Sequence, residues 1–390
     1  MPSSRLDGAA FTSVDWEQQD DRRRIRPRTL GFGLAVAALA AVFAFDNWLN
    51  PGPLYGTYYP KRIDWLFALS LIVFARFVVL PLTVDRERTR RYWRRVNGDP
   101  LAMLAVGYLA AFFLVALIAP EFRGIGHVNL REQLQPPVFA SVPVSNVDQC
   151  LGAVSNGRCH GTWAHPLGTN AMGIDVLSML VYGMRQILQV ALSAAVLMGV
   201  VATFVGATAG YVGGWVDDVL MRYVDVQQTV PTVVVYVLVA TLVLRDKSLI
   251  LLALFFGLLD WGGIARLVRS EVLQRTDAGY VRAAQAAGAS DYHVVRTHLV
   301  PNASPAVATS LSRRVPMLVL TQVGLAFLML SESNMRSIGE LLRRGLGARY
   351  VNTWPAKWWV SGFAVLVVAF TIAASNVVGD AARDALDPHE

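Results

Sequence analysis

Blocks of roughly 16 to 26 apolar residues recur along this chain, separated by charged stretches. A helix that crosses a bilayer needs roughly 20 residues at about 1.5 Å rise each, so blocks of this length predict membrane-spanning helices rather than a barrel. The overall balance agrees: 54% of the 390 residues are hydrophobic and 16% charged, too apolar for an ordinary soluble protein. The blocks fall near 30–49, 64–83, 101–119, 186–208, 230–245, 248–267, 306–330 and 357–378. The expected class is therefore an all-α integral membrane protein with eight spans, the one at 230–245 short enough to need tilt or a thinned bilayer.

Orientation follows from "DRERTRRYWRR", where Arg86, Arg88, Arg90, Arg91, Arg94 and Arg95 crowd one short connection. Arg22, Arg23, Arg24, Arg26 and Arg28 precede the first span in the same way. Loops rich in arginine stay in the cytoplasm, which places both termini inside and the long segment 120–185 outside. The loop 331–356 dissents, because it should lie outside yet carries Arg336, Arg343, Arg344 and Arg349. No apolar core occurs in the first thirty residues, so no cleavable signal peptide is expected there. The formal charge of +7 gathers beside the apolar blocks, with no aromatic-basic module for nucleic acid.

Three parts result: a cytoplasmic tail over 1–29, an extra N-terminal helix pair with its basic loop over 30–95, and a six-helix body over 96–390. The body contains an outer loop, 120–185, and an inner loop, 268–302. The two halves of the chain show no repeat that would suggest an inverted-repeat transporter.

Catalytic signatures are missing. Lys61, Lys247 and Lys357 follow Pro, Asp and Ala, so none closes the Gly-Lys-Ser/Thr turn that cradles nucleotide phosphates. No His-Glu-x-x-His helix and no Gly-x-Ser-x-Gly elbow occurs. No metal and no cofactor is expected. Cys150 and Cys159, in "CLGAVSNGRCH", suit a short disulfide loop in the oxidising outer space. Two free thiols, or a metal site with His160 and His165, are the alternatives.

Several charged residues sit close to the apolar blocks. In "GGWVDDVLMRYVDVQQTVP", Asp218 and Arg222 are four apart and Arg222 and Asp225 three apart, a spacing at which they can pair along one helical face near Asp217. That reads as an interfacial helix held by ion pairs, ahead of a ligand site. Arg266 and Arg269 are placed to snorkel at the inner boundary. Asp260 lies just inside an apolar block, as a packing group or a functional one. Arg313 and Arg314 either mark the inner interface or face a water-filled pathway, and the cost of arginine at mid-membrane favours the interface.

One segment combines helical composition with interruptions: "YVRAAQAAGASDYHVVRTHLVPN", from Tyr280 to Asn302. Asp277 is placed to cap a helix from Ala278 on which Ala283, Ala284, Ala287 and Gly288 form a small-residue face. Gly288 suits a left-handed cap, Ser290 a second short helix carrying Asp291 and His293, and Pro301 and Pro305 the first turn of the next span. A smooth face beside exposed Tyr280 and Arg282 fits a groove in a partner.

This segment resembles the Glu-Ala-Ala loop of the inner-membrane permease subunits of ABC importers. The branch is the dipeptide/oligopeptide/nickel one, in its second, dipeptide-permease-C-like subunit. The resemblance continues through "HPLGTNAMGIDVLSMLVYGMRQ", "AGYVGGWVDDVLMRYVDVQQTVP", "WGGIARLVRSEVL" and "NVVGDAARDALDP", in family order from His165 to Pro388. It implies a non-catalytic subunit forming half of a translocation pathway with a second permease. ATP-binding subunits would attach below, through a coupling helix, and an extracytoplasmic binding protein would deliver di- or oligopeptides above. Nickel chelates or another small solute are the alternative cargo.

By position, Ala283, Ala284 and Gly288 fall on the loop's small residues and His298 and Pro301 on its closing ones; Tyr280, Arg282 and Asp291 complete the expected contact set. Three departures stand out. The usual acid is Arg282, the usual Asp and Arg of the outer element are Asn170 and Ile174, and the first two spans lie outside the resemblance. A membrane-bound enzyme built on Cys150, His160 and His165 is the reading from another class.

Overall fold

The computed structural model describes residues 27–50, 52–54, 58–123, 126–332, 336–347 and 354–386. The expected cytoplasmic tail before Pro27, Arg349 in the dissenting loop and the final Asp387–Glu390 lie outside the described residues. Two compact units result, Met1–Gly52 and Pro53–Glu390. The first contains helix α1, Thr29–Leu49, which is apolar until Asp46 and Asn47 in its last turn. The second begins before the other helix of the expected N-terminal pair, α2, Arg62–Val84. Ile63, Phe67 and Ser70 of α2 are buried, and Gln189 Nε2 donates to Asp64 Oδ1 at 2.6 Å, so α2 packs into the body.

After the basic helix α3, Arg86–Gly98, come α4, Pro100–Arg123, and a segment from 126 to 175 without an α-helix. That segment contains a small antiparallel sheet, β1 Ser141–Pro143, β2 Val154–Ser155 and β3 Arg158–His160, in the order β1-β3-β2. Helix α5, Val176–Val212, is 37 residues long, about 55 Å, and therefore exceeds a hydrocarbon core of about 30 Å. It starts ten residues before the expected boundary because Asp175 caps it, accepting from Ser178 N at 2.8 Å. The outer loop is correspondingly shorter than 120–185.

Gly213 and Gly214 then adopt positive φ, 64° and 55°, a conformation that costs a side-chain-bearing residue free energy. The chain turns sharply there into α6, Gly214–Thr229, and bends by 72° at Pro231 into α7, Thr232–Val243. The expected span at 230–245 is thus the second half of a broken pair. Helices α8, Leu249–Leu259, and α9, Gly262–Thr276, form one apolar stretch interrupted at Asp260 and Trp261. A short helix α10, Gly279–Ala286, leads to α11, Asp291–Val294, which continues through a wide turn, Val295–Leu299, into α12, Val300–Phe327. Helix α13, Ile338–Leu346, and α14, Trp358–Leu386, close the described chain.

Six described helices are long and apolar enough to cross a membrane, or seven if α6 and α7 count as one span. Helix α12 has the length but not the apolarity, since Arg313, Arg314 and several polar residues interrupt it. It is surrounded by α5, α9, α13 and α14.

Two buried clusters organise the body. One gathers α5, α8 and α9 with Val281, Val294 and Leu299 of the segment between α9 and α12. The other joins the 126–175 segment to the first half of α5, the second half of α12, α13 and α14. At Gly206 a β-carbon would meet Ala265 O at 2.4 Å, so α5 and α9 approach backbone to backbone.

Relative direction is readable from side-chain contacts. Tyr182 Oη donates to Pro120 O at 3.2 Å and Arg185 pairs with Glu121 at 2.6 Å, so α4 ends where α5 begins. The start of α4, with α3 before it, therefore lies at the end where α5 stops and α10 begins. Helix α14 starts at the opposite end, where Trp359 Nε1 donates to Thr169 O at 3.0 Å.

Candidate coupling site

Helix α10 stands on one buried anchor. Val281 is fully buried, as are Val294 and Leu299 on the segment that follows, while Arg282, Ala283, Ala287 and Gly288 are exposed and Ala284 is half-buried. Burying a valine side chain is worth about 1.5–3 kcal/mol, enough to hold two turns against the bundle but not to make them rigid alone.

The helix ends in a Schellman motif: Ala289 N donates to Ala284 O at 3.0 Å and Gly288 N to Gln285 O at 2.9 Å, with Gly288 at φ 84°. Ser290 Oγ then accepts from His293 N at 3.3 Å and caps α11, as the sequence predicts. Asp277 does not cap α10. The N-cap is Ala278, one residue later, and the Asp277 carboxylate instead accepts from Arg282 Nη2 at 2.9 Å. Arg282, where the resemblance expects an acid, thus carries its own acid beside it, both side chains largely in solvent.

Pro305 lies further inside α12 than expected, but Pro301 falls where the sequence places it, at the start of the next span. It sits in the first turn of α12, and the wide turn at Val295–Leu299 carries the helix past the missing proline N–H without a break. His298 lies in this turn, its ring 6.0 Å from Tyr280 and 6.0 Å from His293.

A residue that sequence reasoning passed over ties the site to the longest helix. Tyr211, one residue before the end of α5, donates to Asp291 Oδ1 at 2.6 Å, and Gln285 Nε2 donates to Tyr211 Oη at 3.4 Å. One phenol thereby joins α5, α10 and α11. It stands in "AGYVGGW" as an unremarkable boundary tyrosine, with its partners 74 and 80 residues away.

The charged residues of α6 pair differently from the sequence expectation. Among the described residues, Asp218 and Arg222 form no ion pair, nor do Arg222 and Asp225. Instead Asp217 takes Arg269 with both oxygens and Asp225 takes Arg266. Helix α9 lies antiparallel beside α6, so pairing between helices displaces pairing within one, and Arg266 and Arg269 have carboxylate partners rather than snorkelling alone. A third pair lies nearer mid-bundle: Arg314 Nη1 donates to Asp260 Oδ2 at 2.9 Å and Oδ1 at 3.1 Å. Arg313 is 4.0 Å from Asp380.

At the opposite end, Cys150 and Cys159 are bonded, with Cα atoms 5.7 Å apart. Neither sulfur is a thiolate for the alternative metal or enzyme reading, and His160 Nε2 is hydrogen-bonded to Ser155 Oγ at 2.7 Å. His165 bridges Asp175 at 3.3 Å and Glu132 at 3.1 Å. Its hydrogen bond to Asp175 raises the imidazole pKa against the opposing effect of burial, with Glu132 adding to the rise. Asn170, where the resemblance expects an acid, keeps a polar role: its Oδ1 accepts from Met172 N at 2.8 Å and Ile174 N at 3.0 Å. Arg343 and Arg344, in the dissenting loop, both bind Glu340, at 2.6 and 2.5 Å.

Residues 202–390, which contain α6 to α14, match the family described as the binding-protein-dependent transport system inner membrane component. The dipeptide transport system permease protein of Bacillus subtilis is 30% identical over 303 residues, 77% of this chain and 85% of that protein. This chain belongs to that permease family. The oligopeptide transport system permease protein of Haemophilus influenzae is 33% identical over 227 residues, 58% of this chain and 71% of its own. Its Bacillus subtilis counterpart is 28% identical over 297 residues, 75% and 87% respectively. The permease is thus a multi-pass membrane protein related to transport subunits.

Proposed function

We propose that this permease is one half of the translocation pathway of an ABC importer for dipeptides or oligopeptides. In this reading α10 and α11 seat in a groove of an ATP-binding subunit. The observation that carries it is the Tyr211 junction, through which a push on an exposed small-residue face reaches α5, the helix that contacts most of the bundle. The printed names of the relatives support peptides as cargo.

Hydrolysis of ATP belongs to partner subunits, and this chain supplies no catalytic group. A second permease is the partner for the apolar stripe Trp215, Val219, Val226, Val234, Leu238 and Leu242 on α6 and α7, all at least half exposed. Closure of the ATP-binding subunits would bias the bundle between inward- and outward-open arrangements, with a binding protein delivering cargo to the 126–175 end. The basic helix α3 lies at the same end as α10, which supports a cytoplasmic location for both and for the C-terminus.

Co-expression with a second permease, ATP-binding subunits and a binding protein tests the reading. Membrane vesicles should accumulate labelled di- and oligopeptides only with ATP and with all components present. Uptake of a nickel chelate and not of peptides would replace the cargo, and uptake by this chain without ATP-binding subunits would refute the mechanism.

A further inference from the structure

We propose that α3 is a binding site for anionic phospholipid headgroups on the same face of the membrane as α10. Residues 86–95 hold six arginines against one acid, Glu87, which lies among them on the helix, with Asp85 just before the stretch. Because α3 is helical, these positions sort at about 100° per residue: Arg86, Arg88, Arg90, Arg91, Arg94 and Arg95 fall within an arc of roughly 200°. Thr89, Tyr92, Trp93 and Val96 fill the opposite arc of roughly 100°. A basic face backed by an aromatic and apolar strip is the pattern of a helix that lies in the headgroup layer.

Its anchorage leaves it no other place. Helix α2 ends at Val84 and α4 begins at Pro100, so both ends of α3 are held at the membrane boundary within two residues. Thr89 Oγ1 donates to Leu82 O at 2.5 Å, folding the start of α3 back onto the end of α2. Arg86, Arg90 and Trp93 are exposed, Trp93 by 56%. The helix also touches α14, whose other contacts include α12 and α13. Phosphate oxygens suit guanidinium geometry, and each basic residue near a bilayer surface contributes about a factor of five in affinity for anionic lipid. The site is independent of which solute is carried.

The test uses the full chain with its partner subunits, purified in mixed phosphatidylcholine and phosphatidylglycerol and examined by native mass spectrometry for retained lipid. Wild type should retain phosphatidylglycerol in preference to phosphatidylcholine. The triple variant Arg86→Gln, Arg90→Gln, Arg94→Gln should weaken that retention on the order of a hundredfold. The matching triple Arg→Lys variant should keep most of it, and Arg131→Gln with Arg158→Gln, at the opposite end, should leave it unchanged. Equal retention by wild type and the glutamine variant, an equal loss in the lysine variant, or no preference between the two lipids would overturn the site.

Discussion

Tyr211 Oη and Asp291 Oδ1 lie 2.6 Å apart, a single hydrogen bond that joins the end of the longest helix to the start of the segment proposed to receive mechanical work. A hydrogen bond at a partly exposed site contributes about 1 kcal/mol, enough to bias a lever without locking it. Tyr211→Phe should speed amide exchange in 279–294 by a factor of about five and lower the ratio of peptide uptake to ATP hydrolysis. A variant that transports with wild-type stoichiometry would remove the junction from the mechanism.

Gly288 separates backbone tolerance from docking. Nothing lies within 4 Å of the place where its β-carbon would be, but its φ of 84° costs a side-chain-bearing residue about 1 kcal/mol. Gly288→Ala should therefore transport at a reduced rate. Gly288→Trp should abolish uptake and ATP-subunit association while the chain stays in the membrane, which co-purification and vesicle uptake measure together.

Arg282→Glu should cost less than either change. Its present partner, Asp277, is exposed, and exposed pairs contribute little to stability. A moderate loss of uptake, recovered by a charge reversal in the ATP-binding subunit, would show that Arg282 contacts it. Recovery without any such reversal would assign the residue to the surface.

Asp260 and Arg314 should depend on one another. Removing one partner of a half-buried pair strands a charge, and Asp260→Asn or Arg314→Gln should each destabilise the solubilised protein by about 1–2 kcal/mol. Replacing both with leucine should recover most of the loss. Additive losses in a thermal-unfolding series would show that the two do not interact.

The outer end should respond to pH through His165. Its folded pKa is raised above the usual imidazole value, so protonated His165 stabilises the segment fully below about pH 6.5. That contribution is lost as pH rises through the raised folded value. Limited proteolysis within 126–175 should accelerate over that range and become independent of pH in His165→Gln.

Residues with local consequences were the most legible in the sequence. Gly288 and Ser290 act on neighbours within five positions, so their composition announces a helix stop and a helix start. Asp277 shows how narrow that legibility is, since a boundary shift of one residue moved the cap to Ala278 and freed the acid for Arg282. Charge pairing escapes the sequence for a related reason. Asp218, Arg222 and Asp225 satisfy helical spacing, but α9 brings Arg266 and Arg269 closer, and spacing along one helix carries no information about its neighbour.

Hydrophobic block length dictated a helical membrane protein, and the arginine clusters its expected orientation, because both act through the bilayer, a solvent common to all such chains. Motif order carried the resemblance to the family, to which the chain belongs. Which tyrosine meets which acid, whether an in-membrane aspartate has an arginine, and that α2 packs into the body while α11 runs unbroken into α12 were settled by folding. Those relations join residues 54 to 125 positions apart, or depend on a turn's hydrogen bonding, and exist only once the helices have packed.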